Sequence, residues 1–396
     1  MEEEFVSFEE LYIAYKDCLK NKSNTRSAIR FKMDLAKNLY QLYKDLNNGT
    51  YKIGKSIAFI VTRPVKREIF AGNFRDRIVH HLLIKMHNVA FEKEMIYDSY
   101  SCRKGKGTLF GIKRFYEQLS QVTDNFTSTK EIFIFRGDLQ GFFMHIDKNR
   151  LYAKVEEVIK KNYDYSEKKF KWIMDIYHKV IFNRPQDDCI FKTAKRAWIG
   201  LPHDKSLFYF DGLPIGNLTS QIFANLFLAV FDLFVLSLEG VIAYGRYVDD
   251  FFIICIGKKC LMDIVSLCEI KLHEIGVRLH PKKRYIQHYS KGMDFIGAFI
   301  KPHRLYIRSR TIGNLYKRIW EFVEFIRNNE ITDEDIKYIT ICLNSSLGTL
   351  KHFASYKIRR KLLTSQAIRP LYQYVKVKDF ANLKKLEPRK EYLCAA

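Results

Sequence analysis

The sequence predicts an α+β fold on three observations: apolar residues at helical spacing near both ends, short β-rich apolar runs closed by turn residues in the middle, and no internal repeat. At 396 residues the chain is too long for one ordinary core and suits two or three subdomains around a cleft. Hydrophobic residues make up 47% and aromatic residues 15%, enough apolar material to offset the entropy of ordering, so a folded chain is expected.

The elements follow in order. Residues 8 to 46 carry apolar groups at helical spacing, with Lys and Asn on the other face, until Asn47-Asn48-Gly49 stops the helix and turns the chain. Ser56 to Val61, SIAFIV, reads as a strand, and Phe74 to Val89 as a helix rich in Arg and His. Ile132 to Phe135 is a short apolar run ending in Arg136-Gly137-Asp138, the pattern of a buried strand that delivers an acid at its end. Tyr152 to Phe182 reads as helical, and Ser220 to Leu238 as a long apolar helix. Ala243 to Tyr247 and Phe251 to Ile256 flank Val248-Asp249-Asp250 as two strands flank a hairpin turn. Beyond Arg308 the pattern is helical and basic again, through Leu315 to Ile326 and Asp333 to Leu363, before the charged KKLEPRKEYL tail.

Charge narrows the partners. Lysine plus arginine number 67 against 44 acidic residues, a net +23 that attracts polyanions, so nucleic acid leads. Membrane binding would need an amphipathic or spanning segment; the longest apolar stretch, Ile222 to Leu238, is interrupted by Asn225 and Asp232 and reads as a buried helix. The acidic start, MEEEFVSFEE, lacks the pattern of a secretory leader, and a cytoplasmic location is expected. Eight cysteines without a C-x-x-C pair argue against a disulfide framework or a zinc knuckle.

Chemistry is carried by three acids. Asp138 at a strand end and Asp249-Asp250 on a hairpin converge if their strands are neighbours in one antiparallel sheet. Converging carboxylates are what two-cation transfer of a nucleotide requires, and magnesium suits oxygen ligands. Taken alone, Tyr247-Val248-Asp249-Asp250 reads better as a solvated turn than as a pair of metal ligands. The order of segments is more telling: a basic strand and helix, a strand ending in Asp, a Gly-containing turn entering a helix, then the Tyr-x-Asp-Asp hairpin.

In that order the sequence resembles the reverse transcriptases, over about residues 56 to 356. Arg67 to Leu82 resembles their first fingers motif, Tyr97 to Thr108 the second, and Asp138 to Asp147 the motif bearing the first metal-binding acid. Asp211 to Gln221, DGLPIGNLTSQ, resembles the nucleotide-pocket motif, with Ile215-Gly216 where most members have Gln-Gly and Ser220-Gln221 where most have Ser-Pro. That variant, and Leu343 to Tyr356 as a thumb signature, resemble the group II intron-like bacterial and phage enzymes of diversity-generating retroelements.

The resemblance implies a right-hand polymerase: a helical lead-in (residues 1–55), fingers and a palm with an antiparallel sheet (56–305), a helical thumb (306–375) and a charged tail (376–396). It implies that Asp138, Asp249 and Asp250 hold two magnesium ions together with the backbone carbonyl of Leu139. Phe143 falls at the steric gate against a ribose hydroxyl, Arg67 at the triphosphate grip with Arg63 and Lys66 nearby, and Ile215, Gly216 and Asn217 in the nucleotide pocket. Lys283, beside Lys282, falls near the residue proposed to protonate pyrophosphate. Phe295 and Gly297 fall in the primer grip, while Arg75, Arg77, Lys104 and Lys106 fall where template phosphates run.

The implied activity is RNA-directed DNA synthesis from deoxynucleotides, error-prone at template adenines. The implied partners are a template RNA, the cDNA/RNA duplex and a small basic pentameric accessory protein, with no membrane. A defence-associated reverse transcriptase making untemplated DNA, or a non-catalytic RNA-binding scaffold, are the alternatives; the intact acids weigh against the scaffold.

Overall fold

The computed structural model describes residues 4–20, 22–62 and 65–385. Its helices are α1 (Phe8–Leu19), α2 (Arg26–Met33), α3 (Leu35–Asn47), α4 (Phe74–Glu94), α5 (Thr108–Val122), α6 (Lys148–Asn162), α7 (Glu167–Phe182), α8 (Leu218–Ser237), α9 (Lys258–Glu274), α10 (Ser309–Asn328), α11 (Asp333–Leu350) and α12 (Tyr356–Leu363). Its first six strands are β1 (Ser56–Val61), β2 (Arg67–Ala71), β3 (Ile132–Asp138), β4 (Cys189–Phe191), β5 (Val241–Tyr247) and β6 (Asp250–Ile256). The remaining six are β7 (Tyr285–His288), β8 (Met293–Phe295), β9 (Ala298–Lys301), β10 (Arg304–Ile307), β11 (Val375–Asp379) and β12 (Asn382–Lys385). The class is α+β.

Two compact units divide the described residues: those up to Gly111 with Phe135–Ile286, and Ile112–Ile134 with those from Gln287 on. In the first unit α1 packs on α4, so the helical lead-in is part of the body that carries β1 to β6. α1 starts at a capping box, in which Ser7 accepts from the Glu10 amide and the Glu10 carboxylate accepts from the Ser7 amide. β1 pairs antiparallel with β2, from Ile57 opposite Ala71 to Val61 opposite Arg67, and parallel with β4. A second sheet has the order β5-β6-β3-β7, and the chain passes between the units within β3 and β7.

Behind the second sheet lies α8, long and apolar enough to cross a membrane by length and composition. Its apolar residues are mostly buried inside the protein, as expected of a core helix. The expected single helix over 152–182 is two: the chain leaves helical geometry at Tyr163 and re-enters at Ser166, whose hydroxyl accepts from the Lys169 amide as the N-cap of α7.

In the second unit β8, β9 and β10 form an antiparallel meander, while α10, α11 and α12 share a core that includes Leu315, Ile319, Leu343 and Leu347. The helix expected over 333–363 breaks between Leu350 and Tyr356, where Ser355 Oγ donates to the Leu350 carbonyl at 2.5 Å. Residues 376–385, expected in a charged tail, instead form most of the hairpin β11/β12. Val375 and Leu383 enter the helical core, and Asn344 exchanges two hydrogen bonds with the Leu383 backbone at 2.7 and 2.8 Å. Alternation hides this hairpin in the sequence, because its outward residues are lysines. The rest of the expected tail lies outside the described residues.

Candidate active site

The hairpin β5/β6 closes with Tyr247 opposite Asp250, so Val248 and Asp249 alone make its turn. Val248 sits at φ +56°, a left-handed conformation that a β-branched residue rarely adopts. β3 lies beside β6, and the Leu139 amide donates to the Asp249 carbonyl at 3.1 Å, tying the end of the Asp138 strand to the turn. A third contact comes from the segment before β7: the His280 amide donates to the Asp138 carbonyl at 2.7 Å, and the Gln140 amide to the Arg278 carbonyl at 2.9 Å. The two acids, 111 residues apart in sequence, therefore end neighbouring strands, as their spacing required.

Each acid has a different electrostatic setting. Burial, then the negative Asp138 and Asp250, push the Asp249 carboxyl up to about 7, with Arg67 opposing. Asp250 is also raised by burial but turns to Arg136, which donates to it from Nη2 at 2.6 Å and Nε at 3.2 Å. Asp138, only 7% exposed, accepts from the Lys283 ammonium at 2.8 Å. Lys282, by contrast, is exposed and uses its amide on His280 Nδ1. No three His, Cys, Asp or Glu side chains among the described residues are grouped to hold a metal ion. The donor set fits a hard cation: the Asp138 and Asp249 carboxylates are oxygens, and Asp249 is raised first by burial and then by its acidic neighbours, both of which a bound cation would offset.

Under the hairpin lies a buried network that the sequence reading did not find. Arg246 and Asp232 are fully buried and paired at 2.6 Å; Tyr244 donates to Asp232 at 2.6 Å, and Arg246 also donates to Asn225 at 3.2 Å and to the Val248 carbonyl at 2.9 Å. The available signal was Asn225 and Asp232 themselves, seven residues apart on one face of an otherwise apolar helix.

The segment from Asp211 to Gln221 is docked on β2. The Phe70 amide donates to the Ile215 carbonyl at 2.9 Å, and the Gly72 amide donates to Asn217 Oδ1 at 2.9 Å. Asn217 is thus buried as a brace for β2, while Ile215 and Phe143 are half-buried against one apolar cluster of Ala58, Phe70, Met144 and Leu207. Gly216 adopts φ +128°, and a Cβ there would meet Ile69 Cγ2 at 2.7 Å. The Leu213 amide donates to the Phe143 carbonyl at 2.8 Å, and a Cβ on Gly212 would lie 2.1 Å from that oxygen, so only glycine permits this approach.

The basic residues separate by environment. Arg67 is exposed at the start of β2 and acts electrostatically on Asp249, whereas Lys66 donates to the Ile199 carbonyl at 2.6 Å. Arg63 lies outside the described residues. Arg75 is occupied by Asp45, the Lys52 carbonyl and the Tyr51 ring. Arg77 is half-buried and faces a polar pocket. Lys104 is exposed, and Lys106 donates to the Tyr97 carbonyl and lies over the Tyr97 ring. In the other unit Phe295 is wholly buried against Phe115, and the turn Ile296-Gly297 links β8 to β9 with φ +36° and +98°.

Residues 66–300, more than half of the chain, match the family model described as reverse transcriptase (RNA-dependent DNA polymerase). No curated protein matches the chain. Among solved structures, apo telomerase from Candida tropicalis is similar at 12% identity and a TM-score of 0.47, over 81% of this chain and 63% of that one. Telomerase from Candida albicans, solved in complex with a fragment of telomeric RNA, is similar at 12% identity and a TM-score of 0.44, over 78% of this chain and 57% of that one. This chain spans less than two thirds of the length of either telomerase chain. The matched residues carry β2 through β9 with all three acids, and the α+β architecture is that of a right-hand polymerase. The chain belongs to the reverse transcriptase (RNA-dependent DNA polymerase) family.

Proposed function

We propose that this protein copies a template RNA into DNA by adding deoxynucleotides to a primer end. The observation that carries this reading is the meeting of Asp138 and Asp249 at adjoining strand ends inside a reverse transcriptase domain. The site's all-oxygen donors suit two magnesium ions held by Asp138 and Asp249, with Asp250 as the third acid and Leu139 lending its carbonyl. Bound there, magnesium would make the primer hydroxyl more acidic and neutralise charge on the departing pyrophosphate.

The chain's own residues do the remaining work. Arg67 offers a forked, permanently charged guanidinium to the triphosphate, and the Lys283 ammonium beside Asp138 carries a proton near the leaving group. Phe143 sets a ring against the sugar, and Ile215 backs the incoming base with an apolar side chain that makes no hydrogen bond. Phe295 and Gly297 shape a primer-facing turn, and exposed Lys104 joins other basic residues along the template backbone.

Within the family we assign the protein to the enzymes of diversity-generating retroelements, on Ile215-Gly216, Ser220-Gln221 and the Leu343 to Tyr356 segment. This assignment carries errors at template adenines and a basic pentameric accessory protein as partner. Primer extension on a defined RNA template, followed by sequencing, tests both levels. RNA-templated cDNA with errors concentrated opposite adenine, made rarer by Ile215→Gln, is the expected result. Error rates equal at all template bases would remove the retroelement assignment, and DNA made without regard to the template would favour a defence-associated enzyme.

A further inference from the structure

Apart from the three acids, the end of α1, one face of α4 and the start of α8 enclose a small polar pocket. It is lined by Lys22, Arg77, His80, His81, Asn217 and Leu218 among others, and its inner volume is about 20 Å³. That space takes one oxygen-sized group, with the exposed Lys22 at its rim.

Three features of the lining point the same way. His80 is only 5% exposed, and its Nδ1 is buried without a hydrogen-bond partner; Arg77 Nε is buried and unpartnered as well. A buried donor without an acceptor is costly, and a half-buried guanidinium without a counter-charge more so. No Asp or Glu lines the pocket. Lys22, Arg77 and His81 are all shifted toward their neutral forms, chiefly by burial; Arg77 adds like-charge repulsion on Lys22 and His81, and Lys22 adds to that on His81, with Asp17 opposing at His81 and Cys18 at Lys22 and Arg77.

The third feature is the start of α8. Asn217 occupies the N-cap, but its Oδ1 accepts from the Gly72 amide and makes no cap bond, so the first-turn amides of a 20-residue helix have no side-chain cap. Uncapped helix amides, an unpaired arginine Nε–H and a rim lysine are donors or positive charge, and the neutral His80 ring joins them in the tautomer that carries its proton on Nδ1. A water would satisfy a donor but leave the charge uncompensated.

We propose that this pocket binds a phosphate group. One phosphate oxygen enters to accept from Arg77 Nε and from His80 with its proton on Nδ1, facing the α8 amides, while Lys22 meets the remainder at the rim. None of the three acids lines the pocket, whereas Gly216 and Asn217 of the segment assigned to the nucleotide do, so a phosphate held here would sit beside that segment without touching the cation site. A nucleic-acid backbone and a free phosphate or pyrophosphate present the same recognising chemistry to this pocket.

Calorimetric titration of inorganic phosphate into the full-length protein tests this, at neutral pH and constant ionic strength in EDTA, using wild type, Arg77→Met and Lys22→Met. One saturable site is expected in the wild type, weakened at least about tenfold by Arg77→Met and by a smaller factor by Lys22→Met. Absence of binding beyond that of chloride, or equal affinity in both variants, would overturn the proposal and leave a water-filled pocket. Lys22 is exposed, so its variant reports even if Arg77→Met folds poorly. Displacement of bound phosphate by a short single-stranded RNA would name a nucleic-acid backbone as the source; displacement by pyrophosphate alone would name a free phosphate.

Discussion

At Asp249, stability and chemistry pull in opposite directions. Its carboxyl is raised to about 7 in the folded protein, so the folded state holds a proton that the unfolded state has already released. Stability from this group is therefore full in acid and is lost as pH rises through about 7. In EDTA above that pH, Asp249→Asn should raise the denaturant midpoint, because the neutral amide removes the cost of burying a charge and the repulsion from Asp138 and Asp250. An unchanged or lower midpoint would mean that the site is not over-charged. Magnesium should narrow the difference by stabilising only the wild type. The acids themselves were legible in the sequence, since Asp138 and Asp249-Asp250 stand at strand ends marked by turn residues. Their cationic partners were less so: Arg136 reaches Asp250 only through the pairing of β3 with β6, and no local pattern encodes a bond across 114 residues.

Among elements, α8 and β5 are joined by ion pairing as well as by packing. Arg246→Met leaves Asp232 buried and unpaired, a loss of roughly 3–5 kcal/mol by the usual cost of breaking a buried pair. Replacing both residues, Arg246→Met with Asp232→Leu, should recover much of that stability in chemical denaturation. Nucleotide incorporation should stay low in the double variant, because the Val248 carbonyl loses its donor and the hairpin its brace. Full recovery of both would reduce the network to a stability role.

Helix α4 carries a different liability. His87 is wholly buried between Tyr165, Tyr177 and the Leu83 carbonyl, and burial lowers it to about 4; His80 is lowered to about 3. Both stay neutral in the fold while the unfolded chain takes up protons below about 6.5, so stability falls as pH drops from there toward 4. Asp76 and Glu68, raised by burial, act in the opposite sense at lower pH. The contribution of His87 is therefore read as a difference: His87→Gln should flatten the decline between pH 6.5 and 4, and a parallel curve would contradict it. Helix and strand positions were largely readable from periodicity, but the breaks at 163–166 and 351–355 were not. Apolar spacing continues through both, and each is made by capping and backbone bonds rather than by Gly or Pro.

For the molecule as a whole, composition correctly pointed to a folded α+β chain, and the order of motifs pointed to its family. Unit boundaries were the least legible feature. Residues 112–134 precede β3's acid in sequence yet fold with residues 287–385, and the lead-in helices fold with β1 to β6, because long-range pairing sets compact units while linkers mark only sequence. The lysine-rich end read as a tail because charge dominates its composition, whereas its apolar minority decides its place.

The central claim is that Asp138 and Asp249 form the cation site of a nucleotide-adding enzyme. Single-nucleotide incorporation on an RNA template with magnesium, by wild type, Asp138→Asn, Asp249→Asn and Asp250→Asn, tests it most directly. The account predicts losses of at least about a thousandfold for the first two variants and a smaller loss for Asp250→Asn, whose carboxylate is already held by Arg136. Incorporation retained by Asp249→Asn at the wild-type rate would contradict the account.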